Sequence, residues 1–298
     1  PYLFEELQLL QSDDKQAALK QFNPLLFKHL AYTFNRAAKA IAFGFTGGSD
    51  QASKQADDFS KPYYALINRL SADFALTADM ALGLLAGDLK RKEMLSGRLA
   101  DIHAHLFIAT AILKFYEYGQ RTDAEKKHAE LALNKALYNV QEAFYGFYEN
   151  FPVKIAAWLV KLIWFPFGRP IDKPSDQLKQ EVAQLLLREN PFRADLKKHV
   201  YYTTEADDVM GRMESTFQML LEVQPLWDKF KKAESKDQFK GLVFEERVAN
   251  AVELGFITST EAEQILQYNV KRYDSMLTDI FDEHLEHDLP LENPHLKS

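Results

Sequence analysis

Three observations predict an all-α fold. Apolar residues recur every three or four positions through three long segments, the pattern of one helix face and not of a strand. Helix-start and helix-stop signals bracket these segments and the shorter ones that follow. Only His199–Thr204 reads as strand-like, and a lone strand has no partner to pair with.

The chain opens at Pro1-Tyr2-Leu3-Phe4-Glu5-Glu6-Leu7, already in a helical pattern. Asn23-Pro24 reads as a cap followed by proline in the first turn, opening a helix to about Phe45. Thr46 to Ser60 is small and polar, hence a loop. The first stripe is then Ile67, Leu70, Phe74, Ala78, Ala81 and Leu85. The second is Leu95, Leu99, Ile102, Leu106, Ala109 and Leu113, and the third Leu133, Leu137, Val140, Phe144 and Phe147. Each segment runs ~24–30 residues, or ~36–45 Å, and short connections make such helices antiparallel neighbours in a bundle.

Between Phe165 and Pro174 prolines and a glycine interrupt the pattern, and shorter helices follow. Ser175 and Asp176 open one that ends near Asn190-Pro191. Pro225 is expected to kink or divide the helix that begins near Asp207. Gly255 stops a helix, and Thr258 with Glu261 forms a capping box for the next. The expected organisation is 1–61, N-terminal helices; 62–167, a long antiparallel bundle; and 168–298, shorter helices with an acidic tail.

Composition narrows the function classes. In 298 residues, 47% apolar and 27% charged, the chain has the profile of a folded globular protein. No uninterrupted apolar run reaches the ~18–20 residues of a membrane-spanning helix. The absence of cysteine excludes disulfides, thiolate metal sites and a cysteine nucleophile. A net charge of −7 argues against nucleic acid as a partner, because neutralising phosphates requires a basic face.

The segment Pro152–Phe165 is the first candidate site. Lys154 and Lys161 are seven apart and share one stripe, with Trp158 and Trp164 to either side of it. Asn150 to Ile171 contains no Asp or Glu. Two amines flanked by two indoles suit an interfacial helix, with Lys154, Trp158, Lys161, Trp164 and Phe165 as membrane contacts. The competing reading is a helix buried among others, its lysine stems packed and its amines reaching the surface. Lys90, Arg91 and Arg98 could meet an anion such as the phosphates of coenzyme A. The alternative there is a solvated helix start whose bases pair with Glu93 and Asp101. Glu125-x-x-His128 has the spacing of half a di-iron site, but no second Glu-x-x-His exists. His103 and His105 point in different directions, and His284, His287, Asp282 and Glu286 sit in an acidic tail that reads as solvated. No metal is expected.

One family resemblance covers most of the chain. The run Leu85-Ala86-Gly87-Asp88-Leu89-Lys90-Arg91-Lys92-Glu93-Met94-Leu95-Ser96-Gly97-Arg98-Leu99-Ala100-Asp101 resembles the C-terminal region of the large bacterial acyl-CoA dehydrogenases of fatty-acid β-oxidation. Leu106 to Arg121 continues the likeness, as do Phe165-Pro166-Phe167-Gly168-Arg169 with Pro174-Ser175-Asp176, and Arg247-Val248-Ala249 through Ile265-Leu266. The resemblance implies that FAD and the acyl-CoA are held by an upstream catalytic part, where a glutamate in a Glu-Gly-Thr or Glu-Gly-Ala stretch is the base. This sequence contains no Glu-Gly, and its only Gly-Gly, Gly47-Gly48, lacks glycine-rich surroundings. The expectation is therefore a non-catalytic C-terminal region without a cofactor of its own. Its implied partners are that catalytic part, a second copy in a homodimer and an inner-membrane surface, in a cytoplasmic, peripherally bound enzyme. A stand-alone helical adaptor without enzymatic activity is the alternative.

Overall fold

In the first of two units, side chains turn inward toward Phe144, Phe147 and Trp164, three of the largest fully buried groups among the described residues. The computed structural model describes residues 2–10, 12, 14–46, 52–205, 207–235, 243–277, 280–281, 284 and 288–289. The described elements are α1 (Tyr2–Leu10), α2 (Lys15–Thr46), α3 (Ser60–Leu85), α4 (Asp88–Arg91), α5 (Glu93–Tyr118), α6 (Asp123–Asn150), α7 (Lys154–Trp164), α8 (Asp176–Leu186), α9 (Pro191–Lys197), α10 (Val209–Ala233), α11 (Phe244–Glu253) and α12 (Ser259–Met276). The all-α expectation holds. Among the described residues strand pairing is confined to two short strands, β1 (Ile280–Phe281) antiparallel to β2 (Asp288–Leu289), and His199–Thr204 is irregular.

The three predicted stripes are the core of the bundle. Leu133, Leu137, Val140, Phe144 and Phe147 are all buried, as are Leu95, Ile102, Leu106, Ala109 and Leu113 on the facing helix. Helices α5 and α6 are joined by four residues, so they run antiparallel along their length. Thr122 starts α6 with a capping box, its hydroxyl accepting from Glu125 N–H while the Glu125 carboxylate accepts from Thr122 N–H. On α3 the buried face is rotated slightly from the apolar pattern. Leu70, Asp73, Thr77 and Ala81 are buried, whereas Phe74 and Ala78 are half-buried.

The chain divides between Leu187 and Arg188, later than the break expected between Phe165 and Pro174. Gln141 supplies the reason. Its buried amide donates to Ile171 C=O and accepts from Ile171 N–H, both at 2.9 Å, as a neighbouring strand would. With Arg169 paired to Glu142 at 3.0 Å, this fastens the proline-rich segment to α6. Lys127 and Glu181 then tie α8 to the same helix. The second unit has its own core of Val223, Phe230, Val248, Ala251, Ile257, Ile265 and Tyr268. Trp227 packs edge-on against Tyr268, with ring centroids 5.0 Å apart, and is stacked on Phe244.

Local signals were read correctly at some ends and overridden at others. Ser175 and Thr258 cap the helices that follow them, whereas Asn190, expected near the end of α8, caps α9, and α8 already stops at Leu186. Asn23-Pro24, by contrast, lies inside α2, which starts earlier where the Asp14 carboxylate accepts from Gln16 and Ala17 N–H. Helix α10 likewise continues through Pro225. A proline in a helix interior removes one ladder bond but does not forbid the helix when packing supplies the difference. Helix α5 is long and apolar enough to cross a membrane by composition, although His103, His105 and Thr110 interrupt its apolar runs.

Two turns test the backbone. Ala86, closing α3, sits at φ +43° and ψ −123°, a conformation that suits glycine, while Gly255 sits at φ +71°. Ala86→Gly should raise unfolding free energy by about 1 kcal/mol and Gly255→Ala should lower it by a similar amount, both measured by urea denaturation.

Candidate functional site

Helix α7 is split lengthwise by its packing. Ala157, Val160 and Trp164 are buried, and Phe165 beyond the helix is only 6% exposed. The opposite face carries Ile155, Trp158, Leu159 and Leu162 at the spacing of one stripe, Ile155 being 75% and Trp158 60% exposed. No charge interrupts this face, and Phe167 just beyond it is 94% exposed. The five expected membrane contacts are therefore placed differently. Trp158 faces solvent, and exposed Lys154 donates to Glu149 C=O at 2.7 Å. Lys161 lies over the Tyr145 ring, 4.3 Å from its centroid, opposite the fate expected of a headgroup amine. Trp164 and Phe165 turn inward, correcting their expected place at the interface. Periodicity located the helix, but only packing against α6, α2 and α3 decided which indole was covered.

Arg69 of α3 helps fix that choice by donating to the Trp164 carbonyl at the end of α7. One turn along from Arg69 is a buried polar group that the apolar pattern missed. Asp73 and Thr77 are completely buried, and the Thr77 hydroxyl is hydrogen-bonded to the Tyr148 hydroxyl of α6 at 2.7 Å. Neither Asp73 carboxylate oxygen has a hydrogen-bond partner. Burial drives the Asp73 carboxyl well above its ordinary range, and the Arg69 charge only partly opposes this. Tyr148 is pushed up in the same way, by burial first and by Asp73 second. The signal was present in the sequence, since Asp73 and Thr77 lie four apart between Leu70 and Ala81.

A second polar group closes the other end of the bundle. The Glu117 carboxylate, fully buried, accepts from Tyr64 at 3.0 Å and from Lys114 at 2.9 Å. Asp57 accepts from Tyr116 at 2.9 Å and from Ser60 N–H at the start of α3. In the second unit Glu214 accepts from Arg193, Lys197 and Gln218. Burial raises the Glu214 carboxyl, but those hydrogen bonds outweigh it and hold the group down at about 2. These are staples between helices.

Lys90, Arg91 and Arg98 do not assemble into an anion cradle. Lys90 is exposed and Arg91 pairs with Asp88 at 2.8 Å, while Arg98 donates to Met94 C=O on its own helix. The pairing partner is Asp88, not Glu93 or Asp101 as expected. Glu125 serves the α6 cap, and the His128 ring lies 2.6 Å from Ala124 C=O. Among the described residues no group of three or more His, Asp or Glu could hold a metal ion. Of the tail set, Asp282, Glu286 and His287 lie outside the described residues, as does Gly47-Gly48.

Residues 1–281 match the family model described as acyl-CoA dehydrogenase, C-terminal, bacterial type. No solved structure matches the chain. A glycine-rich turn at a helix start holds dinucleotide phosphates on free backbone N–H groups. The starts of α6, α8, α9, α10 and α12 are occupied by their own Thr122, Ser175, Asn190, Asp208 and Thr258 side chains, and the uncapped starts of α3, α5 and α7 have no glycine in the three residues before them.

The two carboxyls give opposite pH dependences. An acid raised by folding costs stability as pH climbs above its unfolded value of about 4, and costs nothing below it. Asp73→Asn should therefore raise the thermal midpoint at about pH 8 and change it little at about pH 4. An acid lowered by folding stabilises above its unfolded value and loses that contribution as pH falls. Glu214→Gln should thus flatten the loss of stability between pH 4.5 and about 2, followed by acid titration of the far-UV signal.

Proposed function

The chain belongs to the bacterial-type C-terminal family of the acyl-CoA dehydrogenases, and on that premise we propose that it is the non-catalytic docking and assembly body of an FAD-dependent, long-chain enzyme of fatty-acid β-oxidation. The parent converts an acyl-CoA to the trans-2-enoyl-CoA in an upstream catalytic part that holds flavin, base and substrate. The helices described here pack on that part, contribute to a homodimer and place the enzyme peripherally on the inner membrane.

The uncharged outer face of α7 carries the membrane reading. Ile155, Trp158, Leu159 and Leu162 form an apolar stripe on a helix of about 16 Å, too short to span a bilayer but suited to lie in its interface. A large apolar side chain gains about 1.5–3 kcal/mol on leaving water, so four on one face supply ample drive for reversible binding. The absence of acids from Asn150 to Ile171 removes the repulsion an anionic surface would otherwise exert.

Flotation with phosphatidylethanolamine–phosphatidylglycerol vesicles tests this. The chain should float, and Trp158→Ala with Leu162→Asp should weaken partitioning by about tenfold or more, whereas Leu254→Asp in the second unit should not. Unaltered flotation of the α7 variant, or none by the unmodified chain, refutes the membrane role. The assembly role is tested by flavin content and acyl-CoA oxidation on this chain and on the parent side by side. Tight FAD binding and unaided oxidation by the chain alone would end it.

A further inference from the structure

Helix α5 has a second bare face, symmetric in its spacing and graded in side-chain size. Its inner side is buried through Leu95, Ile102, Leu106, Ala109 and Leu113, but only 28% of its most apolar 18-residue window is covered. The N-terminal half of the outer face is small, with Gly97, Ala100 and Ala104 all exposed. Phe107, 71% exposed, and Ile108, 44% exposed, stand at the middle. Ala111 follows, and the C-terminal half is large, with Phe115 44% and Tyr118 74% exposed. The steps from Gly97 to Tyr118 are three, four, three, one, three, four and three, and they read the same from either end.

We propose that this face is a homotypic interface, in which α5 packs antiparallel on α5 of a second copy about a two-fold axis beside Phe107 and Ile108. The proposal rests on the assembly role above and names the surface that performs it. A two-fold axis requires one patch to be complementary to itself. Antiparallel packing meets that requirement here, because the small end of one helix lies against the large end of the other. Gly97 and Ala100 then face Tyr118 and Phe115 of the second copy, and Ala104 faces Ala111. Small residues at these points permit the ~8–10 Å approach of packed helices.

The size of the patch agrees. The exposed fractions of its aromatic and aliphatic side chains leave on the order of 600 Å² of apolar surface over ~32 Å of helix. That approaches the ~800 Å² per partner of a standard interface and lies at the upper end of the ~300–600 Å² of the largest apolar patch on a typical monomer. The residues of the stripe carry no charge, and exposed Asp101 borders it one turn from Gly97 and Ala104.

The absence of cysteine from the chain gives a clean test. Ala104→Cys and Ala111→Cys should each cross-link poorly alone under mild oxidation, yet form a disulfide-linked heterodimer when mixed. In sedimentation velocity the unmodified chain should show a two-chain species. Ala104→Glu and Ala111→Lys should each raise its dissociation constant by at least about tenfold, and the double variant should restore it. Circular dichroism confirms that the helices persist in each. A monomer at every concentration, equal cross-linking of Ala104→Cys with itself, or failure of the charge pair to rescue would overturn the proposal. So would a monomeric chain whose vesicle flotation is lost with the α5 variants. Because the membrane reading is read out by α7 variants in flotation, and catalysis by flavin content, failure here is distinguishable from failure of either.

Discussion

Helix α6 buries one broad face, roughly half of its circumference at ~100° per residue, from Ala129 through Leu133, Leu137 and Val140 to Phe144, Phe147 and Tyr148. That broad apolar face must be covered, and the first unit is the solution to that requirement. Helix α5 covers one side along its full length and α3 and α7 cover others, while α8 is tied on through Lys127 and Glu181. The aromatic residues at the C-terminal end of α6 set the position of α7, because Phe165 packs against both Phe144 and Tyr145. What remains on α5 and α7 facing outward is the surface available for binding.

The polar groups within this core divide into satisfied and unsatisfied. Gln141 exchanges two hydrogen bonds with Ile171, and Glu117 is held by Tyr64 and Lys114. Gln141 does so at little cost, because its amide oxygen and nitrogen both have partners, whereas the Oε1 oxygen of Glu117 is buried without one. Asp73 is different, a carboxyl enclosed by helices with only the charge of Arg69 to ease its burial. Its location between Leu70 and Thr77 makes the bundle interior pH-dependent in the opposite sense to Glu214 in the second unit.

The two outward faces are chemically distinct despite both being apolar. That of α7 is short, borders Phe167 and lies in a stretch without acids, which suits an interfacial helix. That of α5 is long and graded from small to large, which suits a helix of the same kind running the other way.

The sequence by itself determined the helices, because 3.6-residue periodicity and caps such as Thr122, Ser175 and Thr258 are local and survive any arrangement of neighbours. Resemblance in the run from Leu85 to Asp101 was legible for the same reason, being written in consecutive residues. Tertiary structure alone decided which side of α7 is covered, that Trp164 is core while Trp158 is surface, and that Asp73 rather than Phe74 points inward. It also decided that the chain parts at Leu187 and that Pro24 and Pro225 leave their helices unbroken. These outcomes depend on contacts between residues far apart in the chain, and burial is a property of the neighbours an apolar face meets.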